Sequence, residues 1–323
     1  MKAFLAMTAI FLVFIGLLGL IAGGELLVRG AVSAARSFGI SPMVIGVTLV
    51  GFGTSTPELV TSLQAALSGS SGIAIGNVVG SNIANVLLIL GIAALIAPIK
   101  VDPRAFRRDG AVVAAATLLC LGGVLMGEID RLTGAGFVAA LAVYLGFTLW
   151  SEKQPGGAQA ATVYENEADA VAGPQTSAGV SFLIALAGLV ITILGARFLV
   201  SGAVSLAEAA GISETVIGLT IVAVGTSMPE LVTSVIAVRK GQGDVALGNI
   251  LGSNIFNILG ILGVTVLVQP MIVPSQIAAL DIWVLCATTL VLVVFARSGW
   301  TISRREGGLF VMAYAAYLAV LLA

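Results

Sequence analysis

A six-residue motif inside an apolar run, Gly53-Thr54-Ser55-Thr56-Pro57-Glu58, returns as Gly225-Thr226-Ser227-Met228-Pro229-Glu230. From Gly53 to Gly91 the register against Gly225 to Gly263 never slips. Of those 39 positions 23 are identical, more than shared membrane composition produces. Upstream, Leu27-Val28-Arg29-Gly30-Ala31-Val32-Ser33 matches Leu199-Val200-Ser201-Gly202-Ala203-Val204-Ser205. The chain is therefore built from two related halves. Each copy of the motif sets a carboxylate one residue after a helix-breaking proline. At bilayer depth a carboxylate costs about 2.5–3.5 kcal/mol even on lenient scales, so two at matched places point to a paired ion site in a duplicated transporter.

Depth is inferred from composition. Apolar residues make up 59% of the chain and charged residues 10%, against roughly half and a quarter in soluble domains. A polytopic membrane protein follows. No histidine is present, which excludes imidazole zinc sites, Ser-His-Asp and Cys-His hydrolases and histidine proton relays. The net charge of -1 and the lack of a basic run give no reason to expect nucleic acid as a partner. Cys120 and Cys286 stand singly in apolar segments and read as small buried hydrophobes. Lys2 and the apolar run after it resemble a signal peptide, but the run continues to Glu25 and is read as the first span.

Ten apolar runs are long enough to cross a bilayer: 4–30, 42–67, 72–98, 109–127, 132–151, 179–206, 214–238, 244–270, 278–297 and 306–322. The expected fold is an all-α membrane protein of ten helices, residues 1–151 and 179–323 forming one repeat each. Residues 152–178, with Glu165, Glu167 and Asp169, read as a cytoplasmic, solvated linker rather than a calcium sensor. With the N-terminus outside, the inner side holds Arg29, Arg36, Lys100, Arg104, Arg107, Arg108, Lys153, Arg239, Lys240, Arg297, Arg304 and Arg305, leaving Lys2, Arg131 and Arg197 outside. That bias places both termini outside. Five helices per half then make the repeats inverted, so the two motifs meet near the midplane.

Pro57 and Pro229 are expected to free or loosen the carbonyls of Gly53 and Gly225. Glu58 lies one helical turn from Thr54 and Ser55, which gathers oxygens on one face. The next helix adds a polar stripe of Asn77, Ser81 and Asn85, repeated as Asn249, Ser253 and Asn257. Gly76, Gly80, Gly248 and Gly252 are expected to allow close helix contact, and Asn82 and Asn254 to bond between helices. Carboxylates, hydroxyls, amides and carbonyls suit a hard cation, calcium above magnesium, and two carboxylates neutralise one divalent ion or two sodium ions. Neither motif helix carries a lysine or arginine near its glutamate. The remaining intramembrane charges read as structural: Glu25 with Arg29 as an interfacial pair, Arg197 and Glu208 near the outer side, and Asp281 at the mouth of its helix. None of these is expected to have a symmetry mate of like charge.

Gly-Thr-Ser-x-Pro-Glu-Leu followed by Gly-Asn-x-x-Gly-Ser-Asn-Ile, present twice in a ten-helix chain, resembles the cation/calcium exchanger superfamily, and within it the prokaryotic Na⁺/Ca²⁺ exchangers. Proton/calcium exchangers carry Gly-Asn-x-x-Glu in place of the first motif. The resemblance covers nearly the whole chain. It implies a secondary antiporter in a prokaryotic cell membrane, with Ca²⁺ and Na⁺ as transported partners and with no cofactor or obligate protein partner. Glu58 and Glu230 would be shared by the calcium and sodium positions. Thr54, Ser55, Thr226 and Ser227 would add oxygens, Ser81 and Ser253 would line sodium positions nearer the two faces, and Asn85 and Asn257 would close the middle. Gly51 and Ala223 fall where the family uses a small residue's carbonyl. Many exchangers have aspartate where this chain has Asn257, so this site is one potential charge poorer. The resemblance also implies that the first and sixth helices slide across a rigid bundle of the other eight. Coupling to H⁺ or K⁺ is the nearest rival. A channel lacks a filter sequence here, and an enzyme lacks a nucleophile–base set.

Overall fold

A computed structural model of the chain describes residues 2–37, 53–152 and 177–322. Gly51, Lys153, most of the 152–178 linker and the first part of the 42–67 run lie outside the described residues. The helices are α1 (Lys2–Ser37), α2 (Thr56–Leu67), α3 (Ser71–Ile96), α4 (Pro103–Leu125), α5 (Arg131–Glu152), α6 (Ala178–Ala210), α7 (Glu214–Thr226), α8 (Met228–Arg239), α9 (Gly243–Val268), α10 (Ile277–Arg297) and α11 (Arg304–Leu321). Seven of them are long and apolar enough to cross a membrane, and an eighth span arises if α7 and α8, bent by 45° at Ser227, count as one. The α11 helix coincides with the tenth apolar run but opens on Arg304, Arg305 and Glu306.

The most buried helices, α3 and α9, form the centre, and α2, α7 and α8 pack on them. Within α3 the π-helical turn Asn85–Leu90 interrupts the α ladder. The corresponding turn of α9, Phe256–Leu262, does the same, and two more lie at Gly218–Val222 and Ile277–Asp281. Such bulges concentrate at functional sites because they turn backbone and side chains out of register. Gly76 and Gly80 bring α3 against α7: a Cβ on Gly80 would stand 2.6 Å from the Leu219 carbonyl. Gly248 and Gly252 meet nothing within 4 Å among the described residues.

The long pair α1 and α6 lies across this centre on a seam of small residues. A Cβ added to Gly188 would sit 2.3 Å from the Leu27 nitrogen, one on Gly16 2.4 Å from Leu199 N, and one on Gly30 2.4 Å from Ala185 N. Backbone meets backbone along the pair, as membrane helices do when dispersion replaces the hydrophobic effect. Near one end Ser33 and Ser181 share a hydroxyl hydrogen bond of 2.8 Å.

The halves are tied together crosswise outside the helices. The two-residue strand β1 (Ile99–Lys100) pairs antiparallel with β4 (Thr301–Ile302), and β2 (Glu128–Ile129) with β3 (Met271–Ile272). The start of α4 therefore lies beside the end of α10, and the reverse, so these helices run antiparallel, joined midway by Thr117 and Thr289 at 3.1 Å. Arg131 donates to the carbonyls of Leu267 (3.1 Å) and Val268 (3.4 Å) at the end of α9, and Arg304 to that of Ile96 (3.0 Å) at the end of α3. Each satisfies an orphan carbonyl and complements the helix dipole. Arg131→Ala is expected to cost roughly 0.5–1.5 kcal/mol, read as a lowered thermal midpoint in detergent. Asp130, beside it, accepts from Thr133 N (2.8 Å) and Thr133 Oγ1 (2.7 Å), and these bonds hold its carboxyl below the usual range.

Candidate ion site

Pro57 and Pro229 each occupy the first turn of their helix, where the missing N–H costs nothing. Proline thus starts α2 and α8, and Ser55 and Ser227 become N-cap residues. An N-cap serine ordinarily bonds its own helix. Neither of these does so. Ser55 Oγ donates to Glu230 Oε1 at 2.9 Å, and Ser227 Oγ donates to Glu58 Oε1 at 2.8 Å. Each half supplies the hydroxyl that holds the other half's glutamate, and both carboxylates lie at a helix N-terminus, where the dipole favours negative charge.

The glutamates are buried, Glu58 at 1% exposure and Glu230 at 0%. Their Oε2 atoms make no hydrogen bond, nor do Thr54 Oγ1, Asn85 Oδ1 or either polar atom of Asn257. A buried oxygen without a partner is costly, and a dehydrated cation is one way to satisfy it. No ion pair reaches either glutamate, and no group of three or more Asp, Glu, His or Cys suited to a metal occurs among the described residues. The donor set is two carboxylates plus neutral oxygens, all hard.

The stripe residues join this centre unequally. Ser253 Oγ reaches Glu230 Oε1 at 3.4 Å, and Ser81 Oγ reaches the Ala223 carbonyl at 3.4 Å. Thr226 Oγ1 donates to Asn77 Oδ1 (3.1 Å), and Asn77 in turn donates to Ser62 Oγ (2.9 Å) and the Glu58 carbonyl (3.3 Å). Asn249 mirrors part of this by donating to Ser234 Oγ at 3.3 Å. Asn77 and Asn249 thus position the motif helices rather than joining the free oxygens. Asn85 Nδ2 donates to Asn254 Oδ1 (3.0 Å), and Asn254 Nδ2 to the Asn82 carbonyl (3.3 Å), which links α3 and α9 as expected. The Asn82 side chain differs, folding back on its own helix to Val78 O at 2.7 Å.

Two expectations need correction. The Gly53 carbonyl is not free: Thr56 N–H closes a tight turn onto it at 3.2 Å, and the Gly225 carbonyl takes a backbone N–H in the same way. A proline in the first turn breaks the ladder, and the turn closes again over the break. Asp281 is not at a helix mouth but fully buried, and it has a mate, Asp109, one repeat earlier. Glu25 and Arg29 do pair on the exposed face of α1. That helix also covers the motif turns, with Leu17 against Gly225 and Gly24 against Pro57.

The family model for "Sodium/calcium exchanger protein" matches residues 8–150 and 180–323. The putative antiporter CaxA of Alkalimonas amylolytica is 38% identical, over 96% of this chain and 98% of that protein. The sodium/calcium exchanger MaX1 of Methanosarcina acetivorans is 37% identical over 96% and 97%. A solved structure of the sodium-calcium exchanger NCX_Mj, soaked with Na⁺ and Sr²⁺, is similar with a TM-score of 0.63 at 31% identity. That match covers 97% of this chain and 98% of the other.

Proposed function

Because the chain belongs to the sodium/calcium exchanger family, on its prokaryotic branch, we propose that it is a secondary antiporter exchanging Ca²⁺ for Na⁺ by alternating access at a midplane site formed by Glu58 and Glu230. The family is one of transporters, and the chain is a multi-pass membrane protein. The observation that carries the reading is the reciprocal pair of serine–glutamate bonds, which fixes one oxygen of each carboxylate and leaves the other buried and unbonded. Ca²⁺ as cargo takes six to eight oxygens in irregular geometry, and two carboxylates cancel its charge. Sodium competes for the same oxygens with half the charge, so exchange needs no further group. Ser81, Ser253 and the Ala223 carbonyl extend the site toward the two faces.

The crosswise strands and arginine caps support two inverted five-helix repeats, 1–151 and 179–323. Every link pairs an element of one half with the element that its own counterpart contacts in return. Both termini are then outside and the linker is cytoplasmic. The glycine seam supports α1 and α6 moving as one body over the site.

Radiolabelled Ca²⁺ uptake into proteoliposomes tests this. Uptake is expected only with Na⁺ inside and a Na⁺ gradient outward, collapsing when Na⁺ is replaced by choline. Uptake that follows a pH gradient without Na⁺ would move the protein to proton-coupled exchange, and a strict demand for K⁺ to the potassium-dependent class.

A further inference from the structure

Away from the ion site the repeat carries a second pair of carboxylates. Asp109 on α4 and Asp281 on α10 are one repeat apart, and each accepts a tyrosine hydroxyl from the last helix of its half. Tyr144 donates to Asp109 Oδ1 at 3.1 Å, and Tyr317 to Asp281 Oδ1 at 2.8 Å. The halves differ in what balances the charge. Arg108 grips Asp109 with two bonds, Nε to Oδ1 at 2.7 Å and Nη2 to Oδ2 at 3.1 Å. The position equivalent to Arg108 is Leu280. Asp281 is fully buried, its Oδ2 has no partner, and neither has the hydroxyl of Tyr314, one helical turn before Tyr317.

We propose that Asp281 is a proton-binding site, holding on Oδ2 the positive charge that Arg108 supplies in the other half. The groups facing it are few. Tyr317 and Tyr314 come from α11. The α3 helix, which packs on the same turn, carries no charged residue at all. The α4 helix packs there with its far end, because it runs antiparallel to α10, and its Arg104, Arg107, Arg108 and Asp109 are at the opposite end. The two carboxyl oxygens and two phenol oxygens are too few to replace the water around a metal cation, whereas a proton needs only one. An ionised carboxylate without a counter-charge is not sustained in such surroundings. Local backbone marks the place too. The other three π-helical turns begin at Asn85, contain Asn257, or run into Ala223, and the fourth ends on Asp281.

Infrared spectroscopy of the reconstituted full chain in Ca²⁺ at neutral pH tests the assignment. Wild type minus Asp281→Asn is expected to show a carboxylic-acid C=O band. Tyr317→Phe should move that band to higher frequency through loss of the phenol's hydrogen bond, which gives a readout even if the asparagine variant folds poorly. The thermal midpoint of Asp281→Asn is expected to stay near wild type, because the amide mimics the protonated acid, whereas Asp109→Asn removes the carboxylate from its two-bond pair with Arg108 and lowers it. A carboxylate band in place of the acid band overturns the proposal. If Na⁺ also raises the melting point of wild type but not of Asp281→Asn, the site holds a metal cation instead. None of these readouts depends on transport, so they stand or fall apart from the exchange reaction.

Discussion

Glu58→Gln is expected to reduce Na⁺-driven Ca²⁺ uptake by about 100- to 4000-fold. The substitution keeps shape and volume, removes one of two charges facing the ion, and turns one oxygen into an N–H₂ donor. Breaking a buried charge interaction by removing one partner costs about 3–5 kcal/mol, and each 1.4 kcal/mol is tenfold. Glu230→Gln should do the same, because Ser55 holds Glu230 as Ser227 holds Glu58. The double variant should lose little more, since one ion needs both carboxylates. The apo protein is not expected to be weakened, as a buried charge has been deleted. What disappears is the rise in melting temperature that Ca²⁺ gives to wild type, because that rise comes from binding. Uptake surviving in either single variant would rule out the site.

The second large effect lies well away from any ion ligand. Gly188→Ala adds one methyl group where only 2.3 Å separates it from the Leu27 backbone, a distance no flexible side chain can relieve. The α1 and α6 helices must move apart, forfeiting contacts along the seam. Overpacking of this kind costs about 1–3 kcal/mol, and the wall here is backbone on both sides. The expected result is a clearly lowered melting temperature together with loss of most uptake, because α1 also covers the turns at Gly225 and Pro57. Gly136→Ala, with nothing within 4 Å among the described residues, is the control and should behave as wild type. Unchanged uptake in Gly188→Ala would show that the seam is not needed for transport.

The duplicated motif, the two glutamates, the seven or eight apolar spans of the described residues and the stripe from Asn77 to Asn85 were legible in the sequence because each is a local pattern. So was the Glu25–Arg29 pair, one turn apart on a single helix. What a single strand of sequence hides is the partner. Ser55 and Ser227 carry ordinary N-cap spacing, and only the tertiary arrangement turns their hydroxyls from their own helices to the other half. The freed carbonyl of Gly53 was a sound deduction from Pro57, but Thr56 N–H recaptured it within one turn. The Asp109–Asp281 pair had a signal in the constant repeat offset. It was masked because Tyr144 and Tyr317 are one residue further apart than the aspartates. An extra residue in the second half, at the turn where Gly299 and Trp300 take positive φ, shifts everything after it.

Reciprocity between the halves has an evolutionary consequence. A gene encoding only one five-helix unit could make this glutamate site, these strand pairs and these arginine caps only as two copies inserted in opposite senses. Every codon change would then have altered both sides of the assembly together, since each residue met its partner's image. Joining such copies in one reading frame would release that constraint. On that history, Arg108 and its repeat equivalent Leu280 would be a trace of the release, a place where two once-identical sequences have diverged.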